Sequence, residues 1–363
     1  MLDFRLDEEQ QMLADTVHRF AEEKMRKEFR EAEELGKIPD DVVKAGWEIG
    51  LLPTGLPEEY GGFGEYSAVT NAIAMEEFSW GDFATTLRIL GPNLVAMPVY
   101  LSGTDEQKAH YLPMFCDEAM PKVTAALTEK AIQFDPRNLK STAVLDGDSY
   151  LLNGAKTLVP LAKDAELILV YANENGETQA FLVPAGSEGL EIGAKGKWMG
   201  INALPTYEVK LNDVRVSAAN KLGGDAGIDF TQILNHSRIA LGAAAVGLMR
   251  AGFEYARDYA KQRVQFGQPV AQYQSIAFML AEMAIDVDEA RLLVWEAAWM
   301  MDQGQDATAE TTRMKFYLDD ISVKVADQAL QTLGGYGYIR EYPVELWLRN
   351  ARGLTHFDGI AMI

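Results

Sequence analysis

The sequence predicts an α+β multidomain protein with an N-terminal helical domain, a middle antiparallel β-barrel or sheet, and a C-terminal helical bundle. Three observations predict it. The chain is 363 residues long and 48% hydrophobic, enough to bury more than one core. Its apolar period changes from helical to strand-like and back again. Turn signals separate the short central runs, while only brief breaks separate the long final ones.

Residues 1–120 read as helical because apolar residues recur at three and four residue intervals, as in LDEEQQMLADTVHRFAEEKMRKEF and DDVVKAGWEIGLL, interrupted by the turn-rich LPEEYGGFGEYS. Residues 121–228 read as strands. TAVLDGDSYLLNGAKTLV, AELILVYANENGETQAFLVPA and PTYEVKLNDVRVS are β-rich runs divided by DGD, NG and NENGE. Residues 229–363 return to the helical period in three long segments joined by GQP and GQDAT, which reads as an up-down bundle. No internal repeat or low-complexity tract is present.

A formal charge of −21 argues against a nucleic-acid or anionic-membrane surface, so any anionic ligand must be met by a few specific Arg or Lys residues. The single cysteine, Cys116, rules out an intramolecular disulfide framework. The start MLDFRLDEEQQ lacks a basic region followed by an apolar one, which predicts a cytoplasmic protein. No apolar run approaches the roughly 18 to 20 residues that span a bilayer, so membrane insertion is not expected.

The glycine-dense LGGYGYIREYP follows a helical pattern and not a strand, which removes a Rossmann reading. The four histidines supply no Glu-x-x-His pair for a di-iron bundle, and no G-x-S-x-G elbow is present. Two signals remain. Arg263, opening RVQFGQPVAQYQ, is either a phosphate clamp or an arginine satisfying the last carbonyls of its helix. Asp358, in THFDGIAMI, is either a carboxylate whose apolar surroundings fit it for proton abstraction or the first residue of a common Asp-Gly turn. The residues alone leave both pairs of readings open.

Taken together, GLPEEYGGFG, ALTEK, DGDSYLLNGAKT, MGINALPTYEVKLNDVRV, the run from SRIALG to FMLAEMA, and QTLGGYGYIREYPVELWLRNAR resemble the acyl-CoA dehydrogenase family over nearly the whole chain. The resemblance implies a helical domain, a β-barrel and a four-helix bundle. It further implies FAD lying between subunits of a tetramer, a glutamate that takes the α-proton of an acyl-CoA thioester, and an electron-transfer flavoprotein as electron acceptor. Asp358 stands where that glutamate is expected. Aspartate withdraws the oxygens by about 1 Å or a little more, and misplacement of that size costs roughly a hundredfold in rate unless substrate or backbone shifts to meet it. Ser237 occupies the alternative base position of some members and cannot serve as one. Arg238 lies where the family has an arginine near the active site, either touching substrate or pairing with a nearby acid. The cavity is expected around Ile89 to Met97.

The resemblance divides at the cofactor. Arg263 and Phe266, for the pyrophosphate end, and Gln331, Gly334 and Gly335, for the ADP portion, match residues that reach a neighbouring subunit's FAD. On the side that holds a subunit's own flavin, Leu127, Thr128 and Glu129 are retained. The family's Gly-Ser pair is here Gln133 and Phe134, and its flavin-packing aromatic and flavin-bonding hydroxyl are Leu158 and Pro160. Behind Asp358, the usual polar contacts are Ile360 and Met362. The resemblance therefore implies either a mixed α2β2 tetramer with a homologous subunit or a divergent homotetramer. Within the first, the chain is a catalytic subunit or a silent partner that completes the other chain's FAD site.

Overall fold

A computed structural model describes residues 5–64, 66–132 and 134–363. Gln133, singled out above, lies outside them. Helix α1 (Glu8–Phe20) opens with a capping box: the Asp7 carboxylate accepts the N–H of Gln10 at 2.8 Å, while Gln10 Oε1 accepts the N–H of Asp7 at 3.2 Å. A π-helical turn, Ala21–Met25, leads into α2 (Arg26–Leu35), which stops at Gly36 in the left-handed conformation. Helices α3 (Asp40–Trp47), α4 (Leu51–Thr54), α5 (Ala68–Gly81), α6 (Phe83–Ile89), α7 (Asn93–Ser102) and α8 (Asp105–Tyr111) complete this region. Helix α5 is apolar on nearly every face because it is covered on several sides, by α1 and by the bundle.

Seven strands follow: β1 (Val123–Ala126), β2 (Thr142–Asp146), β3 (Ser149–Pro160), β4 (Leu167–Glu174), β5 (Glu177–Pro184), β6 (Leu190–Lys195) and β7 (Thr206–Ser217). They make one sheet in the order β1-β4-β2-β3-β7-β6, with β5 paired to β4. The sheet is mixed where a wholly antiparallel one was expected: β1 runs parallel to β4, and so does β2 at its single contact. The turn signals reveal only hairpins, and β1 is buried at all four positions, so it carries no alternation to read.

Helix α9 (Phe230–Gln262) starts at Asp229, whose side chain accepts the N–H of Gln232 at 3.0 Å. A two-residue hairpin, β8 (Val264–Gln265) and β9 (Gln268–Pro269), joins it to α10 (Gln274–Asp302), followed by α11 (Thr308–Leu333) and α12 (Val344–Leu354). The bundle reading holds, and the short α12 packs on α9 and α11 as its fourth member. The hairpin was not visible as strands. Its turn places Phe266 at φ 50° and Gly267 at φ 88°, both left-handed, which matches the twist of the flanking strands.

One core runs from α5 through α9, α10 and α11, and a second fills the middle sheet. A third lies where α7, β1, β4 and the start of α9 converge. Among the described residues, no helix is long and apolar enough to cross a membrane.

Candidate functional site

The third core positions the inner site. At the start of α9, Asn235, His236, Ser237 and Arg238 are all buried. Arg238 grips Asp358 with two parallel bonds, Nε to Oδ1 at 3.2 Å and Nη2 to Oδ2 at 3.0 Å. Its remaining nitrogen donates to Thr312 Oγ1 at 3.2 Å. The apolar surroundings expected for Asp358 are therefore corrected: both carboxylate oxygens face a guanidinium, because α9 carries Arg238 to the same depth as the loop after α12. Arg238, expected at substrate or at a nearby acid, pairs with the candidate base itself.

The backbone around Asp358 is pinned from two sides. Thr128 Oγ1 donates to the Asp358 carbonyl at 3.2 Å, and the N–H of Gly359 donates to Ser237 Oγ at 3.1 Å. Ser237, no base, thus has a positioning contact. Thr128 is itself fixed, since its carbonyl accepts the N–H of Thr157 at 2.8 Å. Behind it, Lys156 Nζ reaches Glu129 Oε1 at 2.8 Å and the Leu127 carbonyl at 3.2 Å. Burial pushes Lys156 down to about 8, against the opposing pull of Glu129.

The residues that the resemblance sets on the side of the chain's own flavin pack inward. Leu158 sits at φ 56° in a bulge of β3 and packs into the main core, and Pro160 is buried. Phe134 packs against the third core. Ile360 and Met362 are 3% and 2% exposed. A void of about 10 Å³ lies against Gly359, walled by Leu94, Ala125, Leu127, Tyr171, Phe230, Ser237 and Met362 among others.

Next to it, the Tyr66 hydroxyl donates to the Ile363 carbonyl at 3.1 Å and lies 2.8 Å from His236 Nδ1. Burial pushes His236 down to about 4. The folded pKa is below the ordinary 6.5, so as pH falls from about 6.5 to 4 the unfolded chain binds a proton that the fold refuses. Stability should fall by about 3 kcal/mol across that window. A His236→Gln variant should show a smaller drop in unfolding midpoint between pH 7 and pH 5 than the parent, a difference read directly by calorimetry.

The outer site is open. A cleft of about 640 Å³ is lined by Tyr259, Arg263, Phe266, Gln331, Gly334, Gly335 and Tyr336, so the candidates Arg263, Phe266, Gln331, Gly334 and Gly335, spread over residues 263 to 335, share one wall. Arg263 ends α9, and its guanidinium lies 5.1 Å from the Tyr336 ring centroid. Among the described residues its guanidinium pairs with no carboxylate and donates to no carbonyl of its helix; only its backbone N–H caps Tyr259, at 2.8 Å. Phe266 stands 95% exposed at the hairpin tip. Gly334 adopts φ 59° and ψ −132°, a conformation open to glycine, and no atom would meet a Cβ at Gly334 or Gly335. A ligand can therefore approach the backbone there.

Models of the acyl-CoA dehydrogenase N-terminal, middle and C-terminal domains match residues 7–119, 124–214 and 227–362. The chain belongs to the acyl-CoA dehydrogenase family. It is 35% identical to "Probable acyl-CoA dehydrogenase YngJ" of Bacillus subtilis, over 100% of this chain and 97% of that protein. It is 34% identical to the caffeyl-CoA reductase-Etf complex subunit CarC of Acetobacterium woodii, over 98% and 96%. The solved butyryl-CoA dehydrogenase of Megasphaera elsdenii superposes with a TM-score of 0.90 at 30% identity, covering 98% of this chain and 96% of that one. This acyl-CoA dehydrogenase is an oxidoreductase of an FAD-dependent family.

The residues present fit FAD in part. An unpaired guanidinium, a glutamine amide and open glycine backbone suit an ADP moiety at the outer cleft. At the inner site, Leu158 and Pro160 offer a flavin ring neither an aromatic face nor a hydroxyl. Leu127 and Thr128 contact the segment around Gly359. Sequence reasoning missed Thr312, His236 and Tyr66, since each acts across 74 or more residues and has no motif of its own.

Proposed function

We propose that this acyl-CoA dehydrogenase works as a subunit of an oligomer in which its outer cleft takes the ADP half of a neighbouring subunit's FAD, while Asp358 is the base for the α-proton of an acyl-CoA thioester. The observation that carries the reading is the convergence of Arg263, Gln331, Gly334 and Gly335 on one open cleft. Assembly is supported by α10, where Phe278, Ile285, Leu292 and Trp299 recur every seven residues and are all exposed. Such a stripe wants a helix against it.

When bound, FAD supplies the acceptor for the β-hydride. The chain's own residues handle the proton. Thr128 and Ser237 fix the backbone of Asp358, and Arg238 fixes its carboxylate. Because Arg238 occupies both oxygens, proton abstraction requires one of them to be released toward the thioester. An electron-transfer flavoprotein would be the oligomer's electron acceptor, a partner supported by the Etf complex in the name of the A. woodii relative.

A second reading is favoured by Leu158, Pro160, Ile360 and Met362 together: the neighbour is a different, homologous chain, and this one holds no flavin ring of its own. The visible spectrum and FAD-to-chain ratio, measured for the protein expressed alone and then beside a second family chain, decide. Flavin near one per chain in the lone protein supports a homotetramer. Flavin near one per two chains, appearing only on co-expression, supports the mixed assembly. No flavin under either condition would refute both.

A further inference from the structure

We infer that the segment Ile360–Ile363 is an internal plug that occupies this chain's acyl cavity, and that an acyl-CoA binds the inner site by displacing it. The inference rests on the reading of Asp358 as the residue facing the acyl group. Immediately after Asp358 the chain turns inward at Gly359, whose φ of 72° is left-handed. A side chain on Gly359 would also meet Leu127 Cδ2 at 2.2 Å, so the turn and the close approach need the same residue. Beyond it, Ile360, Ala361, Met362 and Ile363 are all at most 4% exposed.

These four residues bridge two cores. Ile360, Ala361 and Ile363 join the one built on α5 and α9, and Met362 joins the one containing Leu94 and Phe230. The leftover void of about 10 Å³ has Gly359 and Met362 in its wall and barely reaches the size of one water molecule. That void takes no acyl group while the segment stays.

The attachments, by contrast, are few. Asn93 Nδ2 donates to the Met362 carbonyl at 3.2 Å, and Tyr66 donates to the Ile363 carbonyl at 3.1 Å. Among the described residues, no backbone N–H from Ile360 to Ile363 has a hydrogen-bond partner, and the segment belongs to no helix or strand. A core strand or helix satisfies those groups internally. Here apolar burial and the few side-chain bonds to the Met362 and Ile363 carbonyls hold the segment, and a ligand that offers equal apolar contact can replace it.

The test uses the assembled protein as purified and butyryl-CoA as probe. Hydrogen exchange of peptides covering Gly359–Ile363 should rise when the wild-type protein is saturated with the probe. A Met362→Ala/Ile363→Ala variant should bind it at least about tenfold more tightly, since less apolar surface must leave the core. Equal affinity in both proteins, with exchange of the segment unchanged by ligand, would overturn the plug while leaving the acyl-CoA site standing. Absence of binding in both proteins would overturn the acyl-CoA reading of the inner site and the plug with it. Should the double variant fail to fold, the wild-type exchange measurement alone decides.

Discussion

An Asp358→Asn variant of the assembled acyl-CoA dehydrogenase is expected to lose at least about a hundredfold in turnover, since a positioned general base contributes roughly 10²–10⁴. Asparagine keeps the shape and can still accept from Arg238, so the fold and the two backbone contacts to Thr128 and Ser237 should survive. The loss should appear in kcat, with acyl-CoA affinity little changed. A complementary change sharpens it. Asp358→Glu restores the methylene that the family's usual base has, and its expected effect is retained or raised turnover, because the oxygens advance by about 1 Å toward the substrate. If Asp358→Asn leaves turnover of the assembly untouched, the base is supplied elsewhere, and this chain contributes only cofactor contacts.

The second large effect falls on Arg263. Its guanidinium has no carboxylate partner among the described residues and stacks on Tyr336, so it is held open for an anion without first breaking an ion pair. A bidentate arginine-phosphate contact is worth about 1.5–3 kcal/mol, which converts to roughly 10- to 100-fold in FAD affinity. Arg263→Ala should therefore release flavin on dilution or gel filtration. Arg263→Lys should rescue only part of the affinity, because an ammonium keeps the charge and loses the planar fork. Neither change removes a buried contact, so unfolding midpoints of the flavin-free protein should stay close to the parent.

Much of this architecture is legible in the sequence. The shift of apolar period near Val123 and again near Phe230 located helices and strands because amphipathic faces leave a local signature. The mixed character of the sheet was not legible: β1 is four buried residues whose partner, β4, is a parallel strand more than 40 positions away. Phe266 was a cofactor candidate only through resemblance, and its left-handed backbone at a hairpin tip has no marker beyond the following Gly267.

The inner site divides in the same manner. Ile360 and Met362 read in sequence as missing polar contacts to a flavin, which is a statement about what they lack. Their burial at 3% and 2% shows what they do instead, which is to fill space. Arg238 was located by resemblance, yet its partner could not be chosen, because a bond across 120 residues depends on how α9 and the loop after α12 meet. Three-dimensional convergence supplied that pairing, as it supplied the shared wall of the outer cleft.

The most direct test of the central claim, that this chain completes a neighbour's FAD site, is flavin occupancy of the purified oligomer with Arg263→Ala set against Thr128→Ala. The account predicts that Arg263→Ala strips most of the FAD while Thr128→Ala retains it, with both oligomers intact by light scattering. Full flavin in the Arg263→Ala oligomer, together with loss in the Thr128→Ala one, would contradict it.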